Sequence, residues 1–167
     1  MAGSKIKLCK QTIEFLINEL GPGDRLGLVS YNTRVDVDFE LMPMTAEGKD
    51  RAVDRLRAIN SGAQTNLSGG LFKGIELLTG GGRGGQTRPP AEVQSILLLT
   101  DGLANHGITN TVALVEALRT RLLANAPGAS VFTFGYGGDH DGAALRALSD
   151  CGRGLYYFVQ HTDEIPR

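Results

Sequence analysis

The run Ser95-Ile96-Leu97-Leu98-Leu99-Thr100-Asp101-Gly102 constrains this chain more than any other stretch. Four consecutive branched apolar residues between polar ones read as a short strand buried on both faces, the kind that lies in a sheet sandwiched by helices. Asp101 stands at its carboxyl end, and Gly102 lets the backbone turn sharply. In open α/β sheets, ligands bind in the crevice outside the carboxyl ends of the strands. Asp101 is therefore a candidate binding group, with capping of the following turn as the alternative.

The flanking sequence supplies the rest of such a fold. Apolar residues at Ile6, Cys9, Ile13, Leu16, Ile17 and Leu20 predict an amphipathic helix over Lys5–Leu20. Gly21-Pro22-Gly23 ends it, with glycine suited to a left-handed position after the last turn. Arg25–Tyr31 reads as a second apolar strand. Asn32-Thr33-Arg34 turns into Val35–Leu41, where apolar and acidic residues alternate as in an edge strand with one wet face. The two strands form an antiparallel hairpin. Helices are predicted over Ala46–Ile59, after Thr65-Asn66, over Thr111–Ala124 and around Leu145. Further strands fall at Ser130–Gly135 and Gly154–Val159. Strands alternating with helices predict a doubly wound, Rossmann-like, mostly parallel sheet with one antiparallel edge strand. Gly80–Pro90 reads as a surface loop, because its glycines lack the Lys-Ser or Lys-Thr pair of a phosphate-binding loop.

The chain has 167 residues, enough for one domain with a sizeable core. Its formal net charge of −1 gives no electrostatic case for nucleic acid or an anionic membrane. No apolar run approaches the roughly 20 residues of a membrane span. Cys9 and Cys151 fit neither a disulfide framework nor a zinc motif and read as core residues in a reducing compartment. Asp139-His140-Asp141 could suggest a metal site, but adjacent residues converge poorly on one ion, and helix capping by Asp139 or Asp141 is the better reading. Taken alone, Thr65 reads as a helix N-cap.

The order of the first helix, Gly-Pro-Gly-Asp-Arg-Leu-Gly-Leu-Val-Ser-Tyr (Gly21–Tyr31), Gly-Ala-Gln-Thr-Asn-Leu (Gly62–Leu67), Ile-Leu-Leu-Leu-Thr-Asp-Gly (Ile96–Gly102) and Phe-Gly-Tyr-Gly (Phe134–Gly137) resembles the von Willebrand factor type A domain over almost the whole chain. The resemblance implies a metal-ion-dependent adhesion site for Mg²⁺ or Mn²⁺ at the sheet's carboxyl edge. Thr65 matches its threonine ligand and Asp101 its later aspartate, which reverses the N-cap reading of Thr65. Asn66, Gly102, Asn105, His106 and Gly137 fall in the loops that would contact a partner. The family's Asp-x-Ser-x-Ser loop and the central strand before it would fall just ahead of the first helix, where this sequence reads only Met1-Ala2-Gly3-Ser4. A truncated domain over residues 1–167, lacking that strand, is the expectation.

Two consequences follow from physical chemistry. Mg²⁺ demands near-octahedral oxygen coordination, so Thr65 and Asp101 alone should hold it weakly or not at all. Arg25–Tyr31 and Ile96–Thr100 should face each other across a gap, where each buried unpaired group costs about 1–3 kcal/mol. The fold is then marginal unless the two strands close up or another chain supplies the missing one.

The leading functional reading is a protein-binding module, not an enzyme, since no activated nucleophile, acid–base pair or cofactor fingerprint is present. Its protein ligand cannot be named from the residues. A metal-independent interaction remnant, or one without function, is one alternative. A phosphoryl-transfer enzyme using Asp101 is another. The unpaired cysteines and the absence of a leader favour the cytoplasm, with an extracellular location open if the true start lies upstream.

Overall fold

Period-3.6 and period-2 patterning become five helices and five strands in the computed structural model, which describes residues 3–60, 62, 64–80 and 93–160. In chain order these are α1 (Ser4–Glu19), β1 (Arg25–Tyr31), β2 (Val35–Pro43), α2 (Ala46–Ala58), α3 (Leu67–Leu78), β3 (Ser95–Thr100), α4 (Thr111–Asn125), β4 (Ser130–Tyr136), α5 (Gly142–Cys151) and β5 (Tyr156–Val159). The expected Gly80–Pro90 loop lies, beyond Gly80 itself, outside the described residues. Among the described residues, no helix is long and apolar enough to cross a membrane.

Local chemistry sets the helix ends. Thr45, Asn66, Asn110 and Asp141 each accept a backbone N–H from the third residue on, at the N-caps of α2, α3, α4 and α5. The cap of α3 is therefore Asn66 and not Thr65, and in the Asp139-His140-Asp141 segment the capping residue is Asp141. Gly21 departs from expectation: it is not left-handed. The chain leaves α1 extended at Leu20, and the Asp24 carboxylate accepts the Gly21 N–H at 2.7 Å.

The strands form two sheets. β3, β4 and β5 pair in parallel in the order β3-β4-β5, in register from Ser95↔Ser130 to Thr100↔Gly135. β1 and β2 form a separate antiparallel pair with irregular register around Leu28. Those irregularities spoil the strict alternation expected of β2: Phe39 is buried, but Val37 is exposed and Asp38 is half-buried.

Helices cover both faces. On one face Ile96, Leu98 and Val131 pack with Leu67, Leu71 and Ile75 of α3, Leu114, Leu118 and Leu122 of α4, and Leu145 and Leu148 of α5. On the other, Leu8 and Cys9 of α1 meet Leu99, Phe134, Tyr136 and Val159. A third cluster joins Ile17 of α1 to Phe39, Met44, Ala52 and Leu56. The reading of β3 as buried on both faces is corrected at Leu97, which is 37% exposed. Leu99 joins the α1 cluster, but Leu97, two residues earlier on the same face, does not.

Candidate functional site

The parallel sheet places the ends of β3 and β4 side by side, so the loops after Thr100 and after Tyr136 share one rim. The loop before α3 joins them. Thr65 N–H donates to Asn105 Oδ1 at 2.8 Å, and Asn105 N–H donates to the Thr65 carbonyl at 3.3 Å. This reciprocal pair ties two loops that lie 40 residues apart in sequence.

A second layer stiffens the junction. Asn66 Oδ1 accepts the Gly69 N–H at 3.0 Å and the Ser68 hydroxyl at 3.3 Å, while Ser68 Oγ accepts the Ile108 N–H at 3.0 Å. Ser68 is buried, and its hydroxyl is satisfied as both donor and acceptor. Gly107 lies at φ +75, where a side-chain carbon would collide with Ser68 Oγ and Asn66 Oδ1. Glycine is the residue that fits there.

Thr65 and the Asp101-Gly102 turn come together. A side-chain carbon placed on Gly102 would lie 3.8 Å from Thr65 Oγ1. Both Thr65 and Asp101 are half-buried. Of the other residues singled out in the sequence, Asn66, Gly102 and Asn105 belong to this junction. His106 is exposed farther out on the Asn105 loop, and Gly137 sits on the neighbouring rim after β4.

Lys5 was not evident from the sequence. From the first turn of α1 its side chain crosses Gly137, at φ +71, and donates to Asp139 Oδ2. The hydrogen bond to Asp139 holds the Lys5 ammonium above its ordinary range against some desolvation, and the charges of Asp139 and Asp101 add to it. The same bond holds the Asp139 carboxyl below its ordinary range. Lys5 thus brings a cation into the field of Asp101. The only sequence trace of this role is a lysine at a helix start, which is not diagnostic.

Behind Asp139, His140 Nε2 shares a 2.6 Å hydrogen bond with the Tyr156 hydroxyl, and its ring packs on Phe158. His140 is committed to packing rather than to the rim.

The donor set can be tested against Mg²⁺ or Mn²⁺. Thr65 and Asp101 supply one hydroxyl and one carboxylate to the junction, well short of an octahedron of oxygens. Among the described residues, no group of three or more His, Cys, Asp or Glu could hold a metal ion. These residues can contribute to a cation site but do not by themselves make a cage.

Comparison with known proteins gives consistent matches. The family profile described as the von Willebrand factor type A domain matches residues 1–167. Inter-alpha-trypsin inhibitor heavy chain H1 of Mesocricetus auratus is 30% identical over 151 residues, covering 89% of this chain and 16% of that protein. The chain thus spans a small part of the length of the curated relatives it matches. Among solved structures, a von Willebrand factor type A protein from Catenulispora acidiphila superposes with a TM-score of 0.80 at 16% identity, over 97% of this chain and 36% of that one. Proximal thread matrix protein 1 from the mussel byssus, with a zinc-occupied MIDAS motif, gives 0.73 at 19% identity, over 97% and 40%. At such identities the structural matches establish the fold.

Proposed function

This chain belongs to the von Willebrand factor type A domain family, and from that premise we propose that residues 1–167 act as a single protein-binding module and not as an enzyme. In this reading Thr65 and Asp101 are two ligands of a divalent cation, Mg²⁺ or Mn²⁺, whose open position takes an acidic side chain from a partner protein. The loops carrying Asn66, Gly102, Asn105, His106 and Gly137 shape the partner surface. The zinc-occupied motif of the mussel protein supports a cation at this kind of site.

The observation that carries the reading is the Thr65–Asn105 pair of hydrogen bonds, which fixes the threonine loop beside the Asp101-Gly102 turn. A cation there would neutralise Asp101 and present Lewis acidity to an incoming carboxylate. The chain's own part is to hold Thr65 Oγ1 and Asp101 on one rim. Thr65 and Asp101 by themselves offer too few oxygens for an octahedral ion and would hold it weakly or not at all.

Titration with Mn²⁺, followed by NMR, tests this directly, because the paramagnetic ion broadens nearby amides even at low occupancy. Thr65, Asn66, Asp101 and Gly102 should broaden first, and Asp101→Asn should abolish the effect. Selective broadening on the acidic strand β2 instead would overturn the assignment. Lys5 near Asp101 is the one observation that favours a phosphoryl-transfer alternative. Incubation with acetyl phosphate and intact mass measurement separates the two: an adduct lost in Asp101→Asn would establish the enzyme reading.

A further inference from the structure

The turn between β1 and β2 reaches the threonine segment from the other sheet. Asn32 N–H donates to the Arg34 carbonyl at 2.8 Å, and Asn32 Oδ1 accepts the Arg34 N–H at 2.8 Å. An asparagine that bonds the backbone two residues on closes its own turn. The turn so closed directs the Asn32 carbonyl at the Asn66 N–H, which donates to it at 2.9 Å.

Two glycines let the segment come this near. A side-chain carbon on Gly62 would collide with the Asn32 side chain, and one on Gly69, in the first turn of α3, would lie 2.8 Å from Val35 Cγ2. Neither glycine has a positive φ, so close approach, not backbone conformation, is what demands glycine there. Thr65 is thus held twice. Its own N–H and carbonyl pair with Asn105, after β3, and the next N–H along, that of Asn66, is taken by Asn32, after β1. β1 and β3 belong to different sheets, so the two holds are anchored independently.

We propose that Asn32 is a positioning residue for Thr65: by closing the β1–β2 turn and accepting the Asn66 N–H, it sets where Thr65 Oγ1 stands beside the Asp101-Gly102 turn. Groups that touch no ion can still fix the orientation of those that do. Asn32 matters to a cation only if Thr65 is its ligand, as proposed for the rim, but its hold on Thr65 is readable without any ion.

The test compares Asn32→Ala, which removes the acceptor of the Arg34 N–H, with Asn32→Asp, which keeps one. In the metal-free protein, exchange of the Thr65 and Asn66 amides should be about tenfold or more faster in Asn32→Ala and within about twofold of the parent in Asn32→Asp, with β4 amides unchanged in both. The Overhauser contact between Thr65 and Gly102 protons should weaken in Asn32→Ala. Gly62→Ala crowds Asn32 from the facing segment and should give the same pattern with Asn32 intact. With Mn²⁺ added, broadening in Asn32→Ala should fall at Thr65 while persisting at Asp101, a split that general destabilisation does not produce. Unchanged Thr65 and Asn66 exchange in both Asn32→Ala and Gly62→Ala overturns the proposal, as does acceleration spread equally over β4. If Mn²⁺ leaves Thr65 and Asp101 of the parent unbroadened, the cation reading fails, and the exchange result still decides whether Asn32 holds Thr65.

Discussion

The phenolic hydroxyl of Tyr31, at the end of β1, donates a 2.8 Å hydrogen bond to the main-chain carbonyl of Leu99 on β3. It is a side chain, not a backbone ladder, that links the edges of the two sheets at this point. The Tyr31 ring lies against Gly70 of α3, so that helix also positions the link. Expected to face each other across a gap, the two strands do so, and they have not closed up.

Removing the hydroxyl tests the link. Tyr31→Phe leaves the ring in place and the Leu99 carbonyl without this donor, and should lower stability by about 1 kcal/mol. Urea unfolding reads the change as a lower midpoint with an unchanged slope.

Two glycines of α3 should respond in opposite ways to the same substitution. A methyl group at Gly70 collides with the Tyr31 ring, so Gly70→Ala should destabilise by about 1–3 kcal/mol. Gly74→Ala meets ordinary contact and should be neutral or stabilising by up to about 1 kcal/mol through helix propensity. Thermal melts of the pair decide it.

Asn105→Ala removes the acceptor of the Thr65 N–H. Stability should fall by about 1 kcal/mol, and exchange of the Thr65 amide should speed up while amides in β4 keep their protection. Hydrogen exchange measures both.

Alkaline pH should unfold the protein early. Burial pushes the Cys9 thiol up to about 12 and the Tyr31 and Tyr136 phenols well above their ordinary range. For each group the folded state keeps its proton where the unfolded state has lost it, so stability falls as pH rises. The loss starts near pH 9, the ordinary value for the thiol, and deepens as the unfolded phenols ionise above about pH 10. Cys9→Ala should flatten the first part of this decline in denaturant titrations at stepped pH.

Asp38 should behave as a liability at neutral pH. Burial raises its carboxyl above the ordinary range, with the Asp36 charge adding to the effect, and its Oδ2 is buried without a hydrogen-bond partner. A raised carboxyl makes the folded state favour the protonated form. Asp38→Asn should therefore stabilise at pH 7, with the gain disappearing as pH falls toward the ordinary value of 3.8. Denaturation midpoints at pH 7 and pH 3.5 give the comparison.

What the sequence determined by itself was local. Helix periodicity, capping residues such as Thr45 and Asp141, the β1–β2 hairpin and the apolar run of β3 are encoded by neighbours within about one helical turn or one strand pair. Thr65 and Asp101 are singled out through the family resemblance; taken alone, Thr65 reads as a helix cap, a role that the structure gives to Asn66. Only the tertiary structure decided which Leu of β3 stays exposed, that Asn105 would hold Thr65, that Lys5 would reach across Gly137 to Asp139, and that Tyr31 would reach Leu99. These partners lie 40, 134 and 68 residues apart. No local propensity links positions so distant. They meet because strand register and helix packing fix the end of every element at once, and the same packing leaves β1 and β3 in two separate sheets.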